Sequence, residues 1–156
     1  MTDEELLDVL GEQERRLRFR RFTNDDAIAL GLALLDDARA AAAPVAVQVR
    51  RHGQVLFHAA LDGTTPDNDE WIRRKVNVVD RFGHSSLYVG TQCRAAGGTI
   101  DEVFLVDGRE FAAHGGCFPV IVEGVGPVGS VTVSGLPQEE DHRMVVAAIE
   151  RFLAAG

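Results

Sequence analysis

Residues 45–59 read VAVQVRRHGQVLFHA, and this stretch decides the fold class. Val45, Val47 and Val49 alternate with smaller or polar residues, and Val55, Phe57 and Ala59 repeat the alternation. A period of two is the mark of a strand that buries one face. Arg51-His52-Gly53-Gln54 separates the two runs and supplies the chemistry of a tight reversal. The segment therefore predicts a β-hairpin.

Helices precede it. Leu6, Leu7, Leu10 and Leu17 fall at helical spacing and predict an amphipathic helix over 3–20. Thr23 or Asn24 can cap a second helix, with Asp25 and Asp26 at its positive end. That helix shows an Ile28, Leu32, Leu35 stripe, runs out in Ala40–Ala43, and is stopped by Pro44. After the hairpin, residues 63–68 read as a loop and Trp71–Phe82 as a third helix with Trp71, Lys75, Val78 and Phe82 along one side. Gly83 breaks it, and Ser85 can cap a fourth helix that ends at Gly97-Gly98.

The second half predicts strands. Glu102–Val106 and Glu110–His114 are short candidates joined by Asp107-Gly108, and Phe118–Glu123 and Val128–Ser134 flank the turn at Gly124–Pro127. Pro137 suits the first turn of a last helix, followed by Glu139, Glu140 and Asp141. Its buried face would be Val145, Val146, Ile149, Phe152 and Leu153. Strands come in consecutive groups rather than alternating with helices, which argues for an α+β domain with an antiparallel sheet. Neither a repeat nor a linker divides the chain, so residues 1–156 are expected to form one domain.

Sixteen basic against twenty-four acidic residues give a net charge of −8, a surface that repels nucleic acid and anionic membranes. The longest apolar run, Ala27–Leu35, has nine residues, whereas a membrane span needs about 20. No secretory leader is legible at the start, and two cysteines allow no disulfide framework. A cytoplasmic location is the expectation.

Few stretches carry chemistry. Residues 124–129, GVGPVG, have dinucleotide-binding spacing, but Val128, Val131 and Val133 continue as a strand where that motif needs a helix. Five arginines crowd residues 15–21, with Glu12, Glu14, Asp25 and Asp26 close enough to pair with them. Lys75 is the only lysine against fifteen arginines, and it shares a helix side with Trp71 and Phe82. It reads either as a snorkelling side chain or as an ammonium turned into a pocket to meet an anion. His114 is followed by Gly115-Gly116, which let backbone approach a ligand closely, and His142 falls on the apolar face of the last helix. Cys117 reads as a small packed side chain or as a thiol beside His114. No nucleophile elbow, Walker loop or paired metal-ligand motif is present.

Four stretches together carry a resemblance: GTTPDNDEWIRRK at 63–75, RFGHSSLY at 81–88, AAHGGCFPV at 112–120 and VSGLPQEEDHRMVV at 133–146. Through them the chain resembles the haem-degrading-domain family, the HbpS/GlcG-like proteins, over roughly residues 24–153 and most closely its uncharacterised branch. The resemblance implies a profilin-like fold, a five-stranded antiparallel sheet with helices packed on it. It implies dimers and larger homo-oligomers, and the N-terminal helix within residues 1–22, outside the resemblance, is a candidate arm for subunit contact. It makes haem or iron the candidate ligand with no cofactor assigned, since Cys117 stands where the closer branch has serine and no haem ligand carries over residue by residue.

The expected activity is therefore binding of a small, anionic ligand, with no reaction assigned. The candidate site residues are Lys75, Ser85, Ser86, His114, Gly115, Gly116, Asp141 and His142. Lys75 would supply charge, the Ser85-Ser86 and Gly115-Gly116 amides would donate to an anion, and Asp141 would orient an imidazole. The alternative is an oligomeric interaction module with Trp71 and the loop before it at the subunit contact. Nucleic acid and membrane partners are not expected.

Overall fold

The structure is a computed structural model that describes all 156 residues. In chain order the elements are α1 (Asp3–Arg16), β1 (Arg18–Phe19), α2 (Asn24–Ala40), β2 (Ala46–Arg51), β3 (Gln54–Ala60), α3 (Pro66–Phe82), α4 (Ser86–Ala95), α5 (Ile100–Phe104), β4 (Cys117–Val122), β5 (Gly126–Ser134) and α6 (Gln138–Ala154). The strands form one sheet in the order β1-β4-β5-β2-β3. The expected hairpin is β2–β3, with Val47 opposite Ala59 and Val49 opposite Phe57.

The alternation in these strands sorts residues between two layers. Val45, Val47 and Val49 join Phe118, Val120, Val131 and Val133 on one sheet face, where Leu30 and Leu34 of α2 and Val145 and Ile149 of α6 cover them. On the opposite face Ala46 and Cys117 meet Ile72, Val76 and Val79 of α3. Strand residues of opposite parity go to opposite layers because successive Cβ atoms point to opposite sides.

Several expectations need correction, among them the first helix, which ends at Arg16 rather than near residue 20 because Arg18–Phe19 form β1. The sheet is mostly rather than wholly antiparallel: its edge strand β1 runs parallel to β4, with Arg18 opposite Ile121. The stretches 102–106 and 110–114 are not strands. Thr99 caps α5, its N–H donating to Glu102 Oε1 at 3.0 Å, and Leu105 ends that helix in a left-handed conformation with φ 58°. Residues 110–114 are irregular and lie over α3, where the Ala112 N–H donates to Arg74 O at 3.1 Å. Strand-like composition there was overridden by capping chemistry at Thr99 and by packing of the later residues over α3. The third helix also starts earlier than expected, at Pro66, because Asn68 Oδ1 accepts the Thr65 N–H at 2.9 Å and closes a capping box. No helix is long and apolar enough to cross a membrane.

Candidate functional site

Three of the four stretches that carry the resemblance, 63–75, 112–120 and 133–146, converge where the end of β5 meets the start of α6. Asp141, in the first turn of α6, folds back so that Oδ1 accepts the Leu136 N–H at 3.0 Å and Oδ2 accepts the Gly135 N–H at 3.3 Å. That contact explains the spacing of the Ser-Gly-Leu-Pro-x-x-x-Asp stretch. Gln138 Oε1 accepts the Gly115 N–H at 3.0 Å and ties the His-Gly-Gly loop to the same turn. Lys75 of α3 reaches into the junction: its ammonium donates to Asp141 Oδ2 at 3.3 Å and to Val133 O at 3.2 Å.

Lys75 is 3% exposed and Asp141 1%. Burial pulls the Lys75 ammonium below its ordinary range, while Asp141 pulls it back. Burial likewise raises the Asp141 carboxyl, against Lys75 and the two backbone amides. The pair lines a cavity of about 260 Å³ that Trp71, His114, Gln138 and Ser134 also line. The Trp71 and His114 rings meet edge to face, 5.3 Å apart at 87°. Partial desolvation lowers the His114 pKa, and the Lys75, Arg74 and Arg94 charges push it the same way. Its imidazole is therefore neutral at pH 7, able to donate at one nitrogen and accept at the other.

Two larger concavities exist, about 640 Å³ beside Ala40–Pro44 and about 670 Å³ beside Phe152. None of the charged side chains lining them is buried. The smaller cavity is the better site by chemistry, because a buried charge pair and a perturbed imidazole converge there.

The other expected site residues lie elsewhere. Ser85 caps α4, its Oγ accepting the Tyr88 N–H at 3.2 Å, and its own N–H already donates to Glu14 Oε2 at 3.2 Å. Glu14 of α1 thus occupies the helix end expected to meet an anion. Its other oxygen accepts from His84 Nδ1 at 2.6 Å, which raises the His84 pKa. Ser86 Oγ accepts the Cys117 N–H at 3.1 Å. Gly115 and Gly116 serve close packing: an added Cβ would lie 2.4 Å from Gln138 O at the first and 2.4 Å from Val133 O at the second. Cys117 is fully buried, and burial pushes its thiol up to about 12, so it stays protonated. No group of three or more His, Cys, Asp or Glu side chains is placed to hold a metal ion.

His142 turns its ring toward α1, where Nε2 meets Gln13 Oε1 at 2.8 Å, and its buried Nδ1 has no partner. An amide oxygen can only accept, so Nε2 carries the proton. Burial, with a contribution from Arg143, takes this imidazole down to about 4. In an unfolded chain it titrates near 6.5, so across that window the unfolded state binds the extra proton. Stability is therefore expected to fall as pH drops from about 6.5 to about 4, by about 3 kcal/mol. His84 acts oppositely: its contribution is present below its unfolded pKa and fades as pH rises through its raised folded value. Its ring is partly exposed, so solvent discounts that contribution. Urea titrations between these pH values, on wild type and His142→Gln, check the assignment. The variant should lose most of the acid slope, and an unchanged slope would remove His142 as its source.

Asn68, Ser134 and Gln138 complete the cavity wall without having stood out in the sequence. Asn68 was detectable, seven residues before Lys75 and on the same helix side. Gln138 carried no signal, because its role depends on a loop 23 residues upstream.

Comparison with known proteins sets this geometry in context. The family model described as "Haem degrading protein HbpS-like" matches residues 22–150. The chain is 62% identical over 144 residues to a UPF0303 protein of Streptomyces coelicolor, covering 92% of this chain and 91% of that one. It is 46% identical over 143 residues to a UPF0303 protein of Paraburkholderia phytofirmans, covering 92% and 87%. Among solved structures, the Ybr137w protein is similar at a TM-score of 0.89 and 37% identity, covering 96% of this chain and 89% of that one. The structure described as "PduOC:Heme Complex" shares the fold at a TM-score of 0.69 and 16% identity, covering 83% and 93%.

Proposed function

This chain belongs to the family of HbpS-like haem degrading proteins, and from that membership we propose that it binds a small polar molecule in the cavity walled by Trp71, Lys75, His114 and Asp141. The observation that carries the reading is the buried Lys75–Asp141 pair at the cavity wall. A buried ion pair is seldom the most stable way to fill space, and a hydrophobic replacement of similar volume is often neutral or better. Its presence beside a cavity with a neutral imidazole and an indole is that of a recognition site. Lys75 already has an acidic partner, so the pair offers a donor and an acceptor side by side. The His114 imidazole offers another of each, and Trp71 a flat apolar wall.

Haem is the cofactor that the family name suggests. His114 is exposed and could supply one imidazole to iron. The cavities it lines are about 260 and 310 Å³, one below and one at the lower end of the roughly 300–1,000 Å³ of small-molecule sites. His142 and Cys117 are buried and line neither. These residues do not fit a haem enclosed within this chain.

Native mass spectrometry with absorbance, on protein with and without hemin, tests the reading alongside a thermal-shift screen of small polar compounds. Wild type should be stabilised by a compound smaller than haem, with affinity about tenfold or more lower in His114→Ala. One hemin per chain with a Soret band abolished in His114→Ala would overturn the small-molecule reading.

A homo-oligomer is supported by a different observation. β3 pairs only with β2, so its outer edge is free. Val55 on it is 50% exposed, and Ile28 and Leu32 on neighbouring α2 are 41% and 50% exposed. Unpaired strand edges next to apolar surface favour strand addition. The occupant we propose is β3 of a second copy, since His58 is the strand's only ionisable side chain and identical strands meet there without charge conflict. Sedimentation should give a dimer or larger assembly for wild type and a smaller species for Val55→Lys. Equal sedimentation of the two would remove β3 as the contact.

A further inference from the structure

A second cavity of about 310 Å³ adjoins the first, sharing His114 and Gln138 as a common wall and adding Arg74, Arg94 and Thr99. Seven of the fifteen arginines have no carboxylate within ion-pair distance, and of those seven Arg74 alone lines this cavity. Arg15, Arg16, Arg50, Arg73, Arg94, Arg109, Arg143 and Arg151 all have such a carboxylate.

Its only protein acceptor is Gly108 O, at 2.8 Å from Nη2. Its Nε is buried with no partner, and its guanidinium carbon lies 4.8 Å from the centre of the Trp71 ring. A guanidinium has five N–H donors, so most of Arg74's capacity is unspent. In a chain of net charge −8, an arginine without an acid beside a cavity is a placed charge rather than a neutralised one.

Arg94 is exposed and loosely held. Its Nε is 3.6 Å from an oxygen of half-buried Asp3, and its Nη2 donates to Thr91 Oγ1 at 3.2 Å. The one acid in the cavity wall is Asp101. Its Oδ1 accepts from Thr99 Oγ1 at 2.5 Å, and that bond with nearby backbone amides holds it below the usual carboxylate range. The wall thus sets two guanidinium groups against one carboxylate that is already engaged. The field of both arginines reaches His114, whose pKa they lower together with Lys75.

We propose that the cavity beneath Arg74 and Arg94 is an oxyanion subsite, and that the ligand of the Lys75–His114 cavity carries a phosphate or carboxylate that reaches it past His114. This extends the binding reading above and rests on it for the rest of the ligand. The subsite itself needs only the two arginines. Their planar donor forks match phosphate and carboxylate oxygens two at a time, which a lysine could not do. The ligand would then be bipartite: a neutral polar part against the Lys75–Asp141 pair and Trp71, and an anionic end against Arg74 and Arg94.

Trp71 is the only tryptophan and lies beside both Arg74 and His114, so its fluorescence reports on the subsite. The experiment titrates the full-length protein with inorganic phosphate in one arm and succinate in the other, at constant ionic strength. One arm should show a saturable change with a midpoint of about 1–10 mM, and which arm does so tells phosphate from carboxylate. In Arg94→Gln the midpoint should rise about tenfold. Arg74→Gln should act in the same direction, but Arg94→Gln is the deciding variant because its side chain is exposed and is not stacked on the reporter.

Absence of a saturable change in both arms, or a midpoint unmoved in Arg94→Gln, overturns the subsite. A chloride titration that reproduces the change overturns it too, by reducing it to screening. Arginine-dependent anion binding in a protein whose Lys75 cavity takes up no compound supports the subsite and overturns only the reading it extends.

Discussion

Replacing Lys75 by methionine is expected to cost about 3–5 kcal/mol of stability, because it leaves the Asp141 carboxylate buried without a counter-charge. Asp141 is 1% exposed and would keep only the Gly135 and Leu136 amides as partners. For a chain of this length the loss corresponds to a fall of roughly 10 °C in melting temperature. Part of the carboxylate population would escape by taking a proton, which the raised Asp141 pKa already favours, so the loss should shrink in acid.

The double variant Lys75→Met with Asp141→Asn removes both charges and retains an oxygen for one backbone amide. It should recover about 1–3 kcal/mol of the single variant's loss. Urea unfolding of the four proteins in the cycle measures this. A single-variant loss under about 1 kcal/mol would mean that the pair is solvated, and Lys75 and Asp141 would then no longer mark a recognition site.

Gly116→Ala is expected to cost about 3 kcal/mol or more, and to disturb the site as well as the fold. Gly116 has φ 134°, a conformation in which a side chain is strained whatever the space. A Cβ there would lie 2.4 Å from Val133 O, 2.8 Å from Lys75 Nζ and 3.1 Å from Asp141 Cβ. Val133 O is backbone held within the sheet, and the Val133 N–H donates to Gly116 O at 2.9 Å, so that neighbour cannot retreat cheaply.

Gly97 is the control. Its φ is 79°, but nothing lies within 4 Å of an added Cβ. Gly97→Ala should cost only the left-handed penalty, about 1–2 kcal/mol. Thermal unfolding of both variants separates clash from conformation. Equal losses would show that the close approach of Gly116 to Val133 and Lys75 carries no weight.

Local rules made much of this protein readable in one dimension. The alternation from Val45 to Ala59 specified a hairpin with one buried face, because side-chain direction in a strand repeats every two residues. The sequence offered Thr23 or Asn24 as the cap of α2, and Thr23 takes that place by closing a capping box with Asp26 within four residues. Lys75 and Asp141 stood out by rarity and motif spacing, and His114 by the two glycines behind it.

Other features depended on contacts that no local pattern encodes. Residues 102–106 and 110–114 had strand-like composition, yet capping at Thr99 drew 102–104 into α5 and residues 110–114 lie irregular over α3. The two-residue strand β1 exists only because β4, about a hundred residues later, offers it an edge. Ser85 and His142 looked available, but Glu14 and Gln13 of α1 reach them across more than seventy residues of chain. The sequence by itself therefore determined the layers, the hairpin and the chemical groups a site could draw on, since propensity, periodicity and capping act over a few residues. Only the tertiary structure decided which groups meet: Lys75 with Asp141, 66 residues apart, and Arg74 with no carboxylate in ion-pair reach. Burial and pairing are properties of a neighbourhood assembled from distant segments, and the charge a residue meets there is set by the fold.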